Sequence, residues 1–373
     1  MKLERKAKHV IAVGGGKGGV GKSVCSAALA FALSKKGKRT VLADFDLGAA
    51  NLHTYLGLNA ACTLTDFMHK KVESLEDAIV PTGFENLSFL SGGDYSFGAA
   101  NPAHWMKLKV MRHIHAIDAD FVILDLGAGT SYNVLDLFGT ADKGIVVTVP
   151  EPGAVINAYA FLKGALFRKI HTVFGRHTKI GPVIDKMVNS GESHGTFGLH
   201  TFKEIIEKSD PDLTPLINEI GEWFKPLLLV NMTKGDDHQI IENLEGLCSR
   251  KLGVELQELA SVPANRELSR YLMNMLDFFV SYRSADIMAG INRAADSLLG
   301  EINTEAAEER VFRTDFDDDI LQGISKLIDG LDDMLFLTVS KELMKCRLFF
   351  KPLYVIKALV GMGVDDDLFF CPD

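Results

Sequence analysis

The chain has 373 residues, 47% of them hydrophobic and 24% charged, with a formal net charge of −9. That apolar fraction supports a packed core and excludes a disordered chain, while the net acidity argues against a globally basic nucleic-acid binder. The charge is unevenly placed: residues 301–373 carry 16 acidic and 8 basic side chains, whereas residues 1–300 carry 33 and 32.

Met1 to Lys8 is charged, and the apolar run behind it, Val10 to Val13, is shorter than a signal-peptide core. No stretch of about 20 apolar residues occurs, so no membrane-spanning helix is expected. The five cysteines, Cys25, Cys62, Cys248, Cys346 and Cys371, never approach a C-x-x-C spacing, which fits reduced thiols in a cytoplasmic protein. His113 and His115 stand two apart and would face different sides of a helix, against a metal pair there.

His9 to Gly15 is a β-branched, apolar run ending in glycine and predicts a buried strand. Ser23 to Lys36 carries Ala, Leu and Phe at helical spacing and stops at Gly37. Arg39 to Asp46 predicts a second strand, closed by two carboxylates. Phe121–Asp125, Gly144–Val149 and Leu227–Asn231 are further short apolar runs, and Leu259–Val262 is a candidate for another. Strands separated by helical stretches predict an α/β fold with a mostly parallel central sheet and helices on both faces. Between 165 and 225 the chain turns rich in His, Lys and Glu, with helical periodicity around Phe202–Ile206 and Leu213–Trp223, which predicts a helical insertion. Residues 1–300 thus read as the α/β domain and 301–373 as an acidic, helical C-terminal extension.

Gly16-Lys17-Gly18-Gly19-Val20-Gly21-Lys22-Ser23 satisfies G-x-x-x-x-G-K-[ST] between a predicted strand and a predicted helix. Glycines at this spacing let successive backbone N–H groups, from Gly16 through Val24, turn inward around phosphate oxygens at a helix N-terminus. Lys22 is placed to reach the β and γ phosphates, and the Ser23 hydroxyl to ligate Mg2+. In Asp44-Phe45-Asp46, strand alternation points both carboxylates to one side. Asp44 there is a candidate support for the Mg2+ shell, and Asp46 for orienting a water or accepting its proton. Asp125 closes the apolar Phe121–Leu124 run, as a carboxylate that holds Mg2+ through water does. The small residues of Leu126-Gly127-Ala128-Gly129-Thr130 suit a γ-phosphate sensor.

The second lysine of the loop, Lys17, makes the segment resemble the deviant Walker A motif of the MinD/ParA family of P-loop ATPases. The resemblance implies a three-layer P-loop NTPase fold, slow ATP hydrolysis with Mg2+, and an ATP-sandwich homodimer in which Lys17 reaches the partner's phosphates. It further implies that Asp46 positions the attacking water and that Asn231 reads the adenine edge. Asp46–Leu52, Thr63–Phe67, Asp125–Leu135, Val147–Pro152 and Ala158–Ala160 are similar to the FlhG/FleN branch, MinD-like regulators of flagellar number. The resemblance covers about residues 9–163 and 225–297.

Some features depart from that branch. Met1 to Lys8 lacks the D-Q-A-x-x-L-R segment that stimulates the GTPase partner FlhF, and neither the 165–225 insertion nor the acidic tail belongs to the family pattern. The absence of C-x-x-C separates the chain from the Mrp-type iron–sulfur carriers. Within the tail, Lys345–Val360 interleaves cations with apolar residues. Its cations scatter around a helix rather than forming one polar face, and Pro352 interrupts it, which favours a packed helical element over a membrane-surface anchor.

Three functions therefore stand at the level of sequence. One is a dimerising ATPase switch that contacts a transcription regulator or a polar or membrane assembly, cytoplasmic or peripheral at the inner membrane. Another is a partitioning ATPase that binds DNA without sequence preference through Lys163, Arg168, Lys169, Arg176 and Lys179. The last is a nucleotide-binding scaffold with little turnover.

Overall fold

Aliphatic and β-branched runs bury both of their faces only in the middle of a layered sheet, and the chain places them there. The computed structural model describes residues 8–46, 50–93, 104–174, 180–189, 198–235 and 237–313. In chain order the first half comprises β1 (His9–Gly14), α1 (Lys22–Lys35), β2 (Thr40–Phe45), α2 (Leu52–Leu56) and α3 (Leu64–Met68). It continues with β3 (Ile79–Pro81), β4 (Leu87–Leu90), α4 (His104–Ala116), β5 (Phe121–Leu126), α5 (Tyr132–Thr140), β6 (Lys143–Thr148) and α6 (Pro152–Phe174). Three helices follow: α7 (Gly181–Asn189), α8 (Leu199–Ser209) and α9 (Thr214–Trp223). The chain then forms β7 (Leu227–Thr233), α10 (His238–Leu247), β8 (Gln257–Pro263), α11 (Met275–Val280) and α12 (Ala285–Arg313).

The eight strands form one sheet in the order β3-β4-β2-β5-β1-β6-β7-β8. Every neighbouring pair is parallel except β3 with β4, which is antiparallel at the edge. Helices α1 and α11 cover one face; α5 and α6, with α4 and α10 beside them, cover the other. The architecture is the three-layer, mostly parallel α/β fold expected from the alternation of apolar runs. Because the strands are parallel, their carboxyl ends converge on one edge, where an open α/β sheet offers its ligand crevice.

The described residues up to Phe174, with those from Phe224 to Ser297, form one compact unit. Those between Gly175 and Trp223, with those from Leu298 onward, form the other. In the second unit Phe202 and Ile206 of α8, and Ile217 and Ile220 of α9, are buried, as their helical spacing requires. Residues 314–373, which include the Lys345–Val360 segment and most of the acidic extension, lie outside the described residues.

Three expectations change. The insertion does not begin at residue 165, because α6 runs unbroken to Phe174. Ala165, Leu166, Ile170 and Phe174 continue the buried stripe that Ala154, Ala158, Phe161 and Leu162 begin. β2 ends at Phe45, one residue before Asp46, and β7 passes Asn231 to end at Thr233. β3 and β4, of three and four residues, were not expected at all.

Packing against α5 and α6 leaves no room for side chains at two glycines. The rings of Phe138 and Phe161 meet edge to face at 4.9 Å. A β-carbon at Gly14 would stand 2.6 Å from Phe161 Cζ, and one at Gly144 would stand 2.3 Å from Phe138 Cζ. Overpacking of this kind costs about 1–3 kcal/mol. Gly144→Ala is therefore expected to lower the unfolding free energy by about 1–3 kcal/mol, read as a lower urea midpoint with an unchanged slope.

Candidate functional site

The glycine-rich loop leaves β1 at Gly14 and enters α1 at Lys22, and three neighbours set its shape. On one side α6 presses against it: a β-carbon at Gly16 would lie 2.0 Å from the Asn157 carbonyl oxygen. On a second side the amide of Asn231 Nδ2 donates to the Val20 carbonyl at 3.0 Å, buried, from β7. On the third, the Gly129 N–H donates to the Gly15 carbonyl at 3.1 Å. Gly21 caps α1 in the left-handed region, φ +86°, where a β-carbon would stand 2.2 Å from Asn231 Nδ2. Glycine is demanded there twice over, by conformation and by space.

Lys22 is 92% buried at the start of α1, and burial holds its ammonium below the ordinary value, with Asp125 and then Asp46 pulling it back up. Asp44 and Asp125 occupy matched positions on β2 and β5, so they sit side by side on the α1 face of the sheet. Burial first, then the neighbouring Asp125 charge, pushes Asp44 up to about 7. Its two oxygens accept the N–H groups of Asp46 at 3.1 Å and Leu52 at 3.0 Å. Burial likewise raises Asp125 to about 6, against the opposing hydrogen bonds of Ser23 and Ser26 and the Lys22 charge. Asp46 is raised by burial and lowered by Lys22, and its Oδ1 lies against Gly127, where a β-carbon would be 2.8 Å away.

The structure thus brings Lys22, Ser23, Asp44, Asp46 and Asp125 together at the mouth of the loop Gly16–Val24. Lys17 lies apart from them at the surface, where its Nζ pairs with Glu151 Oε2 at 3.2 Å. Asn231 does not end its strand, as the sequence suggested; it sits within β7, and its amide braces the loop. Met232 beside it takes φ +57° where the register with β8 slips.

Two residues escaped the sequence reading. Ser26 Oγ donates to Asp125 Oδ1 at 2.9 Å, and the signal was its i+3 spacing from Ser23. Glu151, flanked by Pro150 and Pro152, receives Lys17, and its carbonyl accepts the N–H groups of Ala154 and Val155 in the first turn of α6. The basic stretch considered for DNA is partly engaged elsewhere. Arg168 bonds Asp136 through two nitrogens, Lys169 donates to the Gly139 carbonyl, and Arg176 and Lys179 lie outside the described residues.

Among the described residues no three His, Cys, Asp or Glu side chains converge as a metal cluster of their own. Mg2+ does not ask for one: it keeps several waters and takes one or two carboxylates plus substrate phosphates. Carboxylates raised by burial beside a hydroxyl at the phosphate loop fit that demand. No helix of the described residues is long and apolar enough to cross a membrane.

The ParA family model, described as NUBPL iron-transfer P-loop NTPase, matches residues 6–203. The antiactivator FleN of Pseudomonas aeruginosa is 33% identical over 163 residues, 42% of this chain and 55% of FleN. The septum site-determining protein MinD of Escherichia coli is 34% identical over 150 residues, 39% of this chain and 55% of MinD. The matched stretch therefore spans about half the length of these relatives. A solved structure of MinD complexed with Mg-ADP from Pyrococcus horikoshii shares the fold at TM-score 0.51 and 20% identity, covering 78% of this chain and 95% of that one.

The buried carboxylates make the nucleotide-free chain sensitive to pH. Asp44 at about 7 and Asp125 at about 6 both lie above their ordinary 3.8, so the folded state holds protons that the unfolded state has released. Their contribution is fully present below pH ~4 and is lost as pH rises through about 6 to 7. Asp125→Asn is expected to raise stability at pH 8 by on the order of 1–3 kcal/mol and to flatten the decline above pH ~4. Urea unfolding at pH 5 and pH 8 in EDTA checks this; an unchanged slope contradicts it.

Proposed function

Because the chain belongs to the ParA family of P-loop NTPases, we propose that it is a slow, Mg2+-dependent ATPase that acts as a dimerising switch. The observation that carries this reading is the buried Lys22 set against Asp46 and Asp125 where the braced glycine loop opens. The names of FleN and MinD, an antiactivator and a septum site-determining protein, support a switch that governs the number or position of an assembly. In this reading the acidic extension 301–373 and the helices α7–α9 are accessory to the ATPase domain.

Each residue has a task set by its position. Loop amides from Gly16 to Val24 and the N-terminus of α1 hold the phosphates, with Lys22 against the β and γ oxygens. Ser23 and Asp125 would hold Mg2+, the latter through water, and Asp44 keeps Asp46 and Leu52 in place by accepting their N–H groups. A Mg2+ held there would supply positive charge to offset the negative charge that develops on the phosphate oxygens during transfer. Asp46 orients the attacking water and draws on its proton. Lys17 completes the partner's site, which requires it to exchange Glu151 for a phosphate oxygen. The exchange is cheap, because a pair this exposed is worth about 0–1 kcal/mol. Asn231 spends one amide hydrogen on Val20, leaving its carbonyl oxygen to meet the adenine amino group.

The engagement of Arg168 and Lys169 weighs against DNA binding through α6. The iron transfer in the family description needs thiolate ligands, and the five cysteines of this chain include no C-x-x-C pair. The ATPase reading is the one its residues support.

Hydrolysis rate measured against protein concentration tests the reading. The rate per molecule is expected to rise as dimers form, and a rate independent of concentration excludes a cross-dimer Lys17. Asp46→Ala should lose about 100-fold or more in hydrolysis while still binding ATP. Lys17→Ala should lose a comparable factor. Retention of full turnover by either variant removes the role assigned to that residue.

A further inference from the structure

Buried hydroxyls in helices usually bond their own helix. In α1 itself, the buried Ser34 Oγ donates to the Phe31 carbonyl at 2.8 Å. Ser26 does otherwise. With 0% of its surface exposed, it reaches from the second turn of α1 to β5, where it donates to Asp125 Oδ1 at 2.9 Å, 99 residues away in sequence. Ser23 stands three residues earlier on the same helical face and bonds Asp125 as well.

We propose that Ser26 is a positioning residue for Mg2+, fixing the rotation of the Asp125 carboxylate so that it meets the metal-bound water. The inference rests on the reading that Asp125 holds Mg2+ through water. An aspartate is weakly restrained about its terminal torsion, which has broad wells rather than staggered ones. A donor on one oxygen decides which lone pairs face the site. Ser23 sits at the loop mouth and Ser26 one turn deeper, so the two hydroxyls meet the carboxylate from different positions on α1. Among the described residues the Ser26 hydroxyl has no other hydrogen-bond partner, and partners of this kind behind metal-binding groups matter about 10- to 100-fold in metal affinity.

Calorimetric binding of ADP to the full chain, once in EDTA and once with Mg2+, tests the proposal. In the wild type Mg2+ should tighten ADP binding. Ser26→Ala should reduce that gain about tenfold while leaving ADP affinity in EDTA within about twofold, and Ser26→Thr, which keeps the hydroxyl, should restore the gain. If Ser26→Ala does not fold, Ser26→Cys fills the space with a weak donor and is expected to show the same tenfold reduction.

A variant lacking the hydroxyl that keeps the wild-type Mg2+ gain overturns the role of Ser26 alone. So does equal weakening with and without Mg2+, which marks a defect of the phosphate loop. Indifference of the wild type to Mg2+ overturns the metal reading of Asp125, and the role of Ser26 with it.

Discussion

Two carboxylates on neighbouring strands, Asp44 and Asp125, are held side by side under helix α1 with the buried Lys22 close by. Like charges so placed repel, and burial deepens the cost of ionising both. The nucleotide-free site answers by raising both groups and by giving each neutral donors: backbone N–H groups for Asp44, serine hydroxyls for Asp125. Such an arrangement is tense without a cation and becomes favourable with one, provided phosphate comes too. The rest of the domain can be understood as the scaffold that keeps these charges from relaxing apart.

The scaffold does so by confining the loop rather than by touching the charges. α6, β7 and the segment after β5 each press on a different part of the glycine loop, through Asn157, Asn231 and Gly129. Parallel strands make this possible, because elements distant in sequence all deliver their carboxyl ends to one edge. Preformed amides need little rearrangement when an anion arrives, which is where a phosphate site gains affinity. The surface pair of Lys17 with Glu151 is the contrasting case, weakly held and easily exchanged.

The central strands were legible because β1, β2, β5, β6 and β7 are nearly continuous apolar runs, buried on both faces. β3 and β4 were not, since three or four residues at an edge carry too little pattern to distinguish from a loop. The far end of α6 was misread for a chemical reason. Arg168 and Lys169 look like the start of a polar segment, yet one pairs with Asp136 and the other with a helix-end carbonyl of α5, while the apolar stripe continues beneath them. Residues of the site with a fixed spacing, Lys22 and Ser23, could be named from sequence. The bonds of Ser26 and Asn231 depend on which strand lies beside which, and local spacing does not contain that information.

The brace from Asn231 to Val20 spans 211 residues of chain. A growing polypeptide finishes its entire glycine loop early, together with the helix that follows, but the side chain that shapes the loop is translated long afterwards. Domains consolidate as units once their parts have emerged. The braced form of the loop is thus reached only after residue 231 has been translated, long after the motif that it shapes.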